Sequence, residues 1–298
     1  MTRVPSFLII GAMRAGTTTI FQDLEPHPEI FMPENKEPEL LCMEGAGVDK
    51  ILRRYALLFR RARPAQICAE ASTAYTKCPD YLGVPGSARQ ICGLGLKLLY
   101  VVRDPIARAR SAHHHDTALG EMSLPIDSAM RSEPRFLNYS RYAMQLESWL
   151  EEYPPEQFFV VRLEDYIKNR EKWAKRICNF LEIDPSALPT PSEKAFNKAM
   201  NRPTSSGFWR RYVHRQHWYE HYVKPTLPRG LRRGLAGFLL PKAAPAAEPL
   251  AADTVRWMVD ELGSDTERFE ALFREMWSDN YDPVTRYDLR TRYLSAAA

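Results

Sequence analysis

The stretch FLIIGAMRAGTT, residues 7–18, decides the fold. The apolar run at 6–10 is short and uninterrupted, which is typical of a strand buried on both faces of a parallel sheet. A glycine-rich turn follows, and the next residues carry apolar side chains at helical spacing until Pro26 ends the helix. A strand, a glycine turn and a helix in this order present backbone N–H groups to an anion. The sequence therefore predicts a phosphate-binding loop, residues 11–18.

Strands and helices alternate along the chain on both sides of this loop. The predicted strands are 6–10, 67–72, 98–102 and 157–163, and the predicted helices are 17–25, 85–93, 105–119, 137–152, 165–181, 253–262 and 264–277. Residues 26–41 contain four prolines and are expected to form loops or isolated turns. The alternation predicts an α/β fold with a P-loop-type parallel β-sheet flanked by helices.

The domain organisation follows from the same pattern. The length allows one large α/β domain, or two small ones, with a sizeable buried core, and we expect a single domain over 1–298. Its α/β nucleotide-binding core is predicted at 1–182, and a mainly helical C-terminal lid at 183–298. The stretch at 241–252 is rich in alanine and proline, and we interpret it as a connector.

Composition excludes several classes of protein. Hydrophobic residues make up 45% of the chain and charged residues 26%, which are values of a globular protein rather than a disordered or fibrous one. No apolar run approaches the roughly 18 residues of a membrane-spanning helix, so no integral span is expected. The apolar run near Met1 is too short for an export signal, and the five cysteines are widely spaced. These features predict a cytoplasmic protein with reduced thiols.

Positive charge is concentrated in one late segment. Between Arg202 and Arg233 lie seven arginines and one lysine against the single acid Glu220, although the whole chain carries only +4. Such a patch favours an anionic partner. Aromatic residues are interleaved with the arginines in 202–222. The aromatic rings are able to stack on a base or a sugar, and the arginines to bind a phosphate, an anionic acceptor or RNA; the segment otherwise forms a partly buried amphipathic helix.

The phosphate loop lacks the residues that bind magnesium nucleotides. The Walker pattern places lysine directly after its second glycine, followed by serine or threonine. Here Thr17 occupies the lysine position, and the basic residue, Arg14, lies inside the loop. Asp104 follows a strand, but it stands where a helix N-cap is expected, immediately before a proline. We therefore expect a phosphate loop that uses no metal.

A second anion site is predicted at YVVRDPIARARS, residues 100–111. Arg103 stands at the carboxyl end of the strand, where ligands of open α/β sheets bind. Arg108, Ser111 and His115 follow at i, i+3 and i+7 and therefore share one face of the next helix. Two anion sites on separate strand–helix units are a more specific signal than either alone.

Three consecutive histidines, residues 113–115, invite comparison with a metal site. Successive helical residues point about 100° apart, so three in a row from one helix do not converge on one ion. We predict no metal site. Of the three, His115 is expected on the side that faces the ligand.

Three motifs of this chain together closely resemble sulfotransferases that use 3′-phosphoadenosine 5′-phosphosulfate, in particular the heparan-sulfate-type and bacterial carbohydrate-type branch. The motifs are FLIIGAMRAGTT, NKEPELL at 35–41 and YVVRDPIARARS. The resemblance is strong over 6–42 and 97–120, weaker over 139–181 and faint beyond 182.

The resemblance implies the following donor site. The first loop wraps the 5′-phosphosulfate, which assigns it Arg14, Ala15, Gly16, Thr17 and Thr18. An arginine at a strand end and a serine eight residues later hold the 3′-phosphate, and Arg103 and Ser111 have this spacing. A basic loop from the C-terminal region covers the nucleotide, which assigns Arg202. The family usually has lysine where this chain has Arg14, so we expect Arg14 to act catalytically by electrostatic stabilisation rather than by proton donation.

The resemblance also places a catalytic glutamate at Glu37. We expect it to act as general base on the acceptor hydroxyl, with Glu39 and His115 as alternatives. Lys36 either neutralises the leaving phosphate or is simply solvated.

The expected reaction is in-line transfer of a sulfuryl group from 3′-phosphoadenosine 5′-phosphosulfate to a hydroxyl of a carbohydrate or small-molecule acceptor, with adenosine 3′,5′-bisphosphate as product. Metal and nucleic acid are not expected partners. Two alternatives are a P-loop small-molecule kinase and a non-catalytic binder of anionic glycan or nucleic acid that uses residues 202–233.

Overall fold

The structure is a computed structural model that describes residues 2–190, 248–277 and 286–294. Five parallel strands form one sheet, in the order β2-β3-β1-β4-β5. The strands are β1 (Phe7–Gly11), β2 (Ile30–Phe31), β3 (Ile67–Ala71), β4 (Lys97–Val102) and β5 (Phe158–Arg162). All five residues of β1 and of β5 are buried, as the apolar runs predict for strands covered on both faces.

Eleven α-helices are present in the described residues. They are α1 (Thr17–Leu24), α2 (Val48–Leu58), α3 (Val84–Cys92), α4 (Pro105–Ala118), α5 (Ile126–Ser132), α6 (Arg135–Asn138), α7 (Tyr142–Leu150), α8 (Leu163–Lys168), α9 (Arg170–Phe180), α10 (Ala252–Trp277) and α11 (Leu289–Leu294). Beyond residue 183, the described residues form α10, α11 and a short 3-10 turn. The predicted fold class, a P-loop-type parallel sheet flanked by helices with a mainly helical C-terminal region, is confirmed.

Parallel pairing brings the functional segments to one edge of the sheet. β1 is central and pairs with β3 on one side and with β4 on the other. The carboxyl ends of these three strands therefore lie together, and each leads into a segment that carries polar side chains. The phosphate loop follows β1, residues 72–76 follow β3, and Arg103 follows β4.

Two predicted helices are each divided in two. The helix expected at 137–152 is interrupted between α6 and α7, where the buried Ser140 hydroxyl accepts a hydrogen bond from Arg108 Nε (2.6 Å) and donates one to the Pro105 carbonyl (2.9 Å). The helix expected at 165–181 breaks at Asn169, whose side chain caps α9 by accepting from the Lys172 N–H (3.0 Å).

Several elements were not predicted, and the shortest strand and helix among them are β2 and α11. β2 lies within 26–41, where only loops and turns were expected, and its two residues pair with the start of β3. Helix α11 has six residues. Both elements are too short to show a periodic pattern of apolar residues.

The two helices predicted at 253–262 and 264–277 are a single helix, α10. Gly263 lies in its interior and does not end it, because apolar side chains on both sides of the glycine are buried. Phe269 and Phe273 pack in the main core, and Met258 and Leu262 pack in a second core cluster against α4. An interior glycine costs only about 1 kcal/mol, which this burial outweighs.

No helix among the described residues combines the length and the apolar character needed to cross a lipid bilayer. The basic segment 202–233, with Arg202, lies outside the described residues, as does most of 241–252.

Asp265 of α10 provides a test of this packing. Its carboxylate accepts hydrogen bonds from the backbone N–H groups of Ala143 (3.1 Å) and Met144 (3.0 Å) at the start of α7. We expect Asp265→Ala to lower the free energy of unfolding by about 2 kcal/mol, because the first turn of α7 then loses its cap. Urea denaturation measures this value. Asp260→Ala on the exposed face of the same helix is the control, and an equal loss in both variants would contradict the capping role.

Candidate functional site

The phosphate loop is a compact turn between β1 and α1. The Ala12 N–H donates to the Val101 carbonyl (2.6 Å), and the Ala15 N–H donates to the Ala12 carbonyl (3.1 Å). Gly16 precedes α1 with a left-handed φ of 93°, a conformation that favours glycine. The helix then begins at Thr17, and the first N–H groups of a helix have no partner within it. The start of α1 therefore lies at the carboxyl edge of the sheet, with its first N–H groups available as donors.

Four predicted site residues meet around Arg14. Its Nε donates to Ser111 Oγ (3.3 Å), and its Nη1 lies 3.4 Å from His115 Nδ1. Arg103 Nη1 donates to the Arg14 carbonyl (3.3 Å). The structure therefore brings together residues of the phosphate loop, the end of β4 and one face of α4, although they lie far apart in the sequence.

Arg14 is held beside a second guanidinium. Its pKa is lowered by partial desolvation and by the positive charge of Arg103, while Asp116 acts in the opposite sense. Asp116 itself is already paired with Arg135, whose Nη1 lies 2.6 Å from Asp116 Oδ2. An anion placed between Arg14 and Arg103 would relieve their repulsion.

Lys36 and Glu37 approach the phosphate loop from the segment that follows β2. The Lys36 ammonium donates to Thr17 Oγ1 (3.3 Å) and lies 2.5 Å from Glu37 Oε1. The other carboxylate oxygen of Glu37 accepts from the Thr73 hydroxyl (2.9 Å), and the Lys36 carbonyl accepts from the Ala71 N–H (3.1 Å). The segment thus lies against the phosphate loop at Thr17.

The two candidate glutamates of this segment have opposite pKa shifts. Burial acts to raise the pKa of Glu37, but the charge of Lys36 and hydrogen bonds from Lys36 and Thr73 outweigh it, so this pKa lies below 4.5. Burial raises the pKa of Glu39, and Lys77 offsets this only in part. The surroundings therefore favour the ionised form of Glu37 and disfavour that of Glu39.

A buried carboxylate behind this segment was not identified from the sequence. Glu70 of β3 is fully buried and accepts hydrogen bonds from Tyr55 (2.7 Å), Tyr75 (2.6 Å) and Ser72 (3.3 Å). Burial raises its pKa to about 7, against the effect of these hydrogen bonds. The signal in the sequence was a single glutamate within the apolar strand ICAEA.

This carboxylate is connected to the Lys36–Glu37 segment through two hydroxyl groups. Ser72 Oγ accepts from the Glu39 N–H (3.1 Å), and the Tyr75 hydroxyl accepts from the Leu41 N–H (3.3 Å). Both hydroxyls donate to Glu70. Glu70 thus fixes the backbone that follows Glu37.

One expectation about α4 is wrong. Arg108 does not share the ligand-facing surface with Ser111 and His115, because it is fully buried and donates to Ser140 and to the Phe136 carbonyl. The spacing i, i+3, i+7 spans nearly two turns, so Arg108 lies near the edge of that face, where α6 covers it.

The three histidines have separate surroundings. His113 is buried, and its Nε2 lies 2.9 Å from the Leu124 carbonyl. The pKa of His114 is lowered by partial burial and by nearby Arg14. His115 lies against Arg14. Among the described residues, no group of three or more His, Cys, Asp or Glu side chains is placed to hold a metal ion.

Comparison with known proteins identifies the family. The family model for the sulfotransferase domain matches residues 5–205. The chain belongs to this family. The phosphate loop, the Lys36–Glu37 segment and the Arg103 turn all lie within the matched part of the sulfotransferase domain.

Curated relatives of this sulfotransferase domain act on heparan sulfate by name. Human heparan sulfate glucosamine 3-O-sulfotransferase 3B1 is 26% identical over 213 residues, which is 67% of this chain and 51% of that protein. Bovine bifunctional heparan sulfate N-deacetylase/N-sulfotransferase 2 is 25% identical over 226 residues, 70% of this chain and 24% of that protein. The chain thus spans about half the length of the first relative and about a quarter of the length of the second.

A solved sulfotransferase from Alicyclobacillus acidocaldarius has a similar fold. It superimposes with a TM-score of 0.64 at 19% identity, covering 91% of this chain and 96% of that one. This likeness supports the sulfotransferase fold assignment independently of the site.

Glu70 gives this sulfotransferase domain a testable pH dependence. Because its folded pKa of about 7 exceeds the ordinary 4.5, the folded state holds a proton that the unfolded state releases between these values. The resulting stabilisation is complete below pH 4.5 and is lost as the pH rises through 7, by up to about 3 kcal/mol. We expect Glu70→Gln to remove this slope in urea unfolding measured from pH 4 to 8. The exposed Glu25→Gln is the control, and an unchanged slope in Glu70→Gln would contradict the assignment.

Proposed function

We propose that this domain transfers a sulfuryl group from 3′-phosphoadenosine 5′-phosphosulfate to a hydroxyl group of an acceptor. The observation that carries the proposal is the convergence of Arg14, Arg103 and Lys36 on one phosphate loop. Three cations around a helix N-terminus favour a ligand with more than one anionic group. The names of the curated relatives support the same reaction.

The donor is proposed to lie along the carboxyl edge of β1 and β4. The 5′-phosphosulfate is held by the phosphate loop, through the N–H groups at the start of α1 and the side chains of Thr17 and Arg14. The 3′-phosphate is held by Arg103 and Ser111, which share Arg14 as a neighbour. Arg14 then lies between the two anionic groups and balances the charge of both.

The proposed chemistry needs a base and a cation near the loop. Glu37 takes the proton of the acceptor hydroxyl while that oxygen forms a bond to sulfur. The bond from sulfur to the bridging phosphate oxygen breaks, and its electron pair stays on the 5′-phosphate. Lys36 lies between Thr17 and Glu37 and neutralises the charge that develops there.

The arrangement favours Glu37 over the alternatives. The pKa of Glu37 is lowered, so it is ionised at neutral pH, and it contacts Lys36, which also contacts Thr17. Burial instead raises the pKa of Glu39. His115 contacts Arg14 on the opposite side of the loop from Lys36. The relatives that are named for sulfation of heparan sulfate favour a sugar hydroxyl as the acceptor.

Nucleotide preference tests the donor site. We expect adenosine 3′,5′-bisphosphate to raise the melting temperature without magnesium, because Arg14 and Arg103 supply the positive charge. Arg103→Ala should weaken its binding roughly tenfold or more, as loss of a charged hydrogen bond does. The control Arg53→Ala removes an equal charge from the exposed face of α2.

Stabilisation by magnesium ATP alone would favour the kinase alternative. Glycan binding that survives Arg14→Ala, with no transfer of labelled sulfate, would favour the non-catalytic alternative.

Substitution of the proposed base tests the mechanism. We expect Glu37→Gln to lower turnover at least about a hundredfold, while binding of adenosine 3′,5′-bisphosphate persists. Since the pKa of Glu37 is lowered, its carboxylate stays ionised at neutral pH. We therefore expect kcat/KM to fall through protonation of Glu37 only below pH 4.5. With a histidine as the base, kcat/KM would instead fall as the pH drops below about 6.5. Glu34→Gln, on the same exposed segment, is the control, and normal turnover in Glu37→Gln would reassign the base.

A further inference from the structure

The backbone of the turn that carries Arg103 is fixed by groups from other elements. The Tyr142 hydroxyl accepts from the Arg103 N–H (3.3 Å) and donates to the Arg103 carbonyl (2.7 Å). Glu164, at the start of α8, accepts from the Asp104 N–H (2.9 Å). Asp104 is fully buried and caps α4 by accepting from the Ala107 N–H (2.7 Å). The turn therefore has little freedom of its own.

Two tyrosines from late in the chain complete this network. The Tyr293 hydroxyl donates to Asp104 Oδ1 (2.7 Å), the same oxygen that caps α4. The Tyr287 hydroxyl donates to Glu164 Oε2 (2.7 Å), the carboxylate that holds the Asp104 N–H. Arg292 Nη1 also lies 3.3 Å from Asp104 Oδ2. Each acid next to the turn is thus oriented by one tyrosine.

Tyr287 is itself anchored to the sheet, and α11, which carries Tyr293, packs against the second core cluster. The Tyr287 N–H donates to Glu270 Oε1 (3.0 Å), and Glu270 Oε2 accepts from Arg162 Nη2 (2.9 Å) at the end of β5. The Arg162 guanidinium lies between the rings of Phe273 and Tyr287, 4.5 and 5.0 Å from their centroids. Leu289 is buried in the second core cluster with residues of α4. A buried polar chain therefore runs from β5 to the Arg103 turn.

We propose that Tyr287 and Tyr293 are positioning residues for the 3′-phosphate site. The two tyrosines hold the Arg103–Asp104 turn. The Arg103 guanidinium therefore stays beside Arg14, although the two positive charges repel each other. This inference rests on the proposed function and goes beyond it, because both tyrosines lie outside the residues 5–205 that the family model matches. Donor affinity in this chain then depends on residues that the family motifs do not contain.

The ligand pair that tests the inference differs only in the 3′-phosphate. Adenosine 3′,5′-bisphosphate and adenosine 5′-monophosphate are titrated into the full chain by calorimetry. We expect Tyr293→Phe and Tyr287→Phe each to weaken binding of the bisphosphate roughly fivefold to twentyfold, less than the direct loss of a hydrogen bond to a charged group, because the tyrosines act on Arg103 through the turn. Binding of the monophosphate should change less than about twofold, because it does not use Arg103.

A matched control and a double variant separate positioning from general destabilisation. Tyr153→Phe removes a buried hydroxyl that has no hydrogen-bond partner in the described part of the chain, and it should leave the nucleotide preference unchanged. In an Arg103→Ala background, Tyr293→Phe should add no further loss of preference, because the two residues act on one contact. Urea unfolding shows whether each variant folds. If Tyr293→Phe does not fold, the nucleotide preference of Tyr287→Phe decides the question.

The outcomes distinguish the two proposals. Equal weakening of both nucleotides, or full additivity with Arg103→Ala, would overturn the positioning role. If the unsubstituted chain prefers the bisphosphate and both phenylalanine variants keep that preference, only this inference fails. If the unsubstituted chain shows no preference, the proposed donor site fails as well.

Discussion

Repulsion between like charges at the carboxyl edge of the sheet is the constraint on which the site depends. Arg14 and Arg103 are brought together by the pairing of β1 with β4, and Lys36 approaches from the other side of the phosphate loop. Partial desolvation and the neighbouring guanidinium of Arg103 lower the pKa of Arg14. The buried sheet and the hydrogen bonds around it hold these cations in place, and a bound anion would supply the negative charge that balances them.

The carboxylates near this edge are divided by their surroundings into two kinds. Glu37 is kept ionised by Lys36 and Thr73, whereas burial keeps Glu70 protonated to a much higher pH. The first faces the mouth of the loop, and the second lies behind the same segment and orders its backbone through Ser72. Burial and charge pairing therefore separate a group suited to proton transfer from a structural one.

The parts predicted from the sequence were those determined by local pattern. The phosphate loop and the Arg103 turn each follow a buried apolar strand and precede a helix, so their neighbours in sequence fix their positions. Arg108 was misplaced because helical spacing does not show which neighbouring helix covers a face. Glu70 depends on a tyrosine of α2, and Tyr293 reaches Asp104 across 189 positions. Only the tertiary structure shows such contacts.

Helix α10 is continuous through Gly263, and this links two parts of the hydrophobic interior mechanically. One half of the helix is embedded beside β5, and the other half is embedded beside α4, so a rigid rod of about 39 Å joins both. The packing beside β5 is therefore joined by one continuous helix to the packing beside α4, the helix that carries Ser111 and His115.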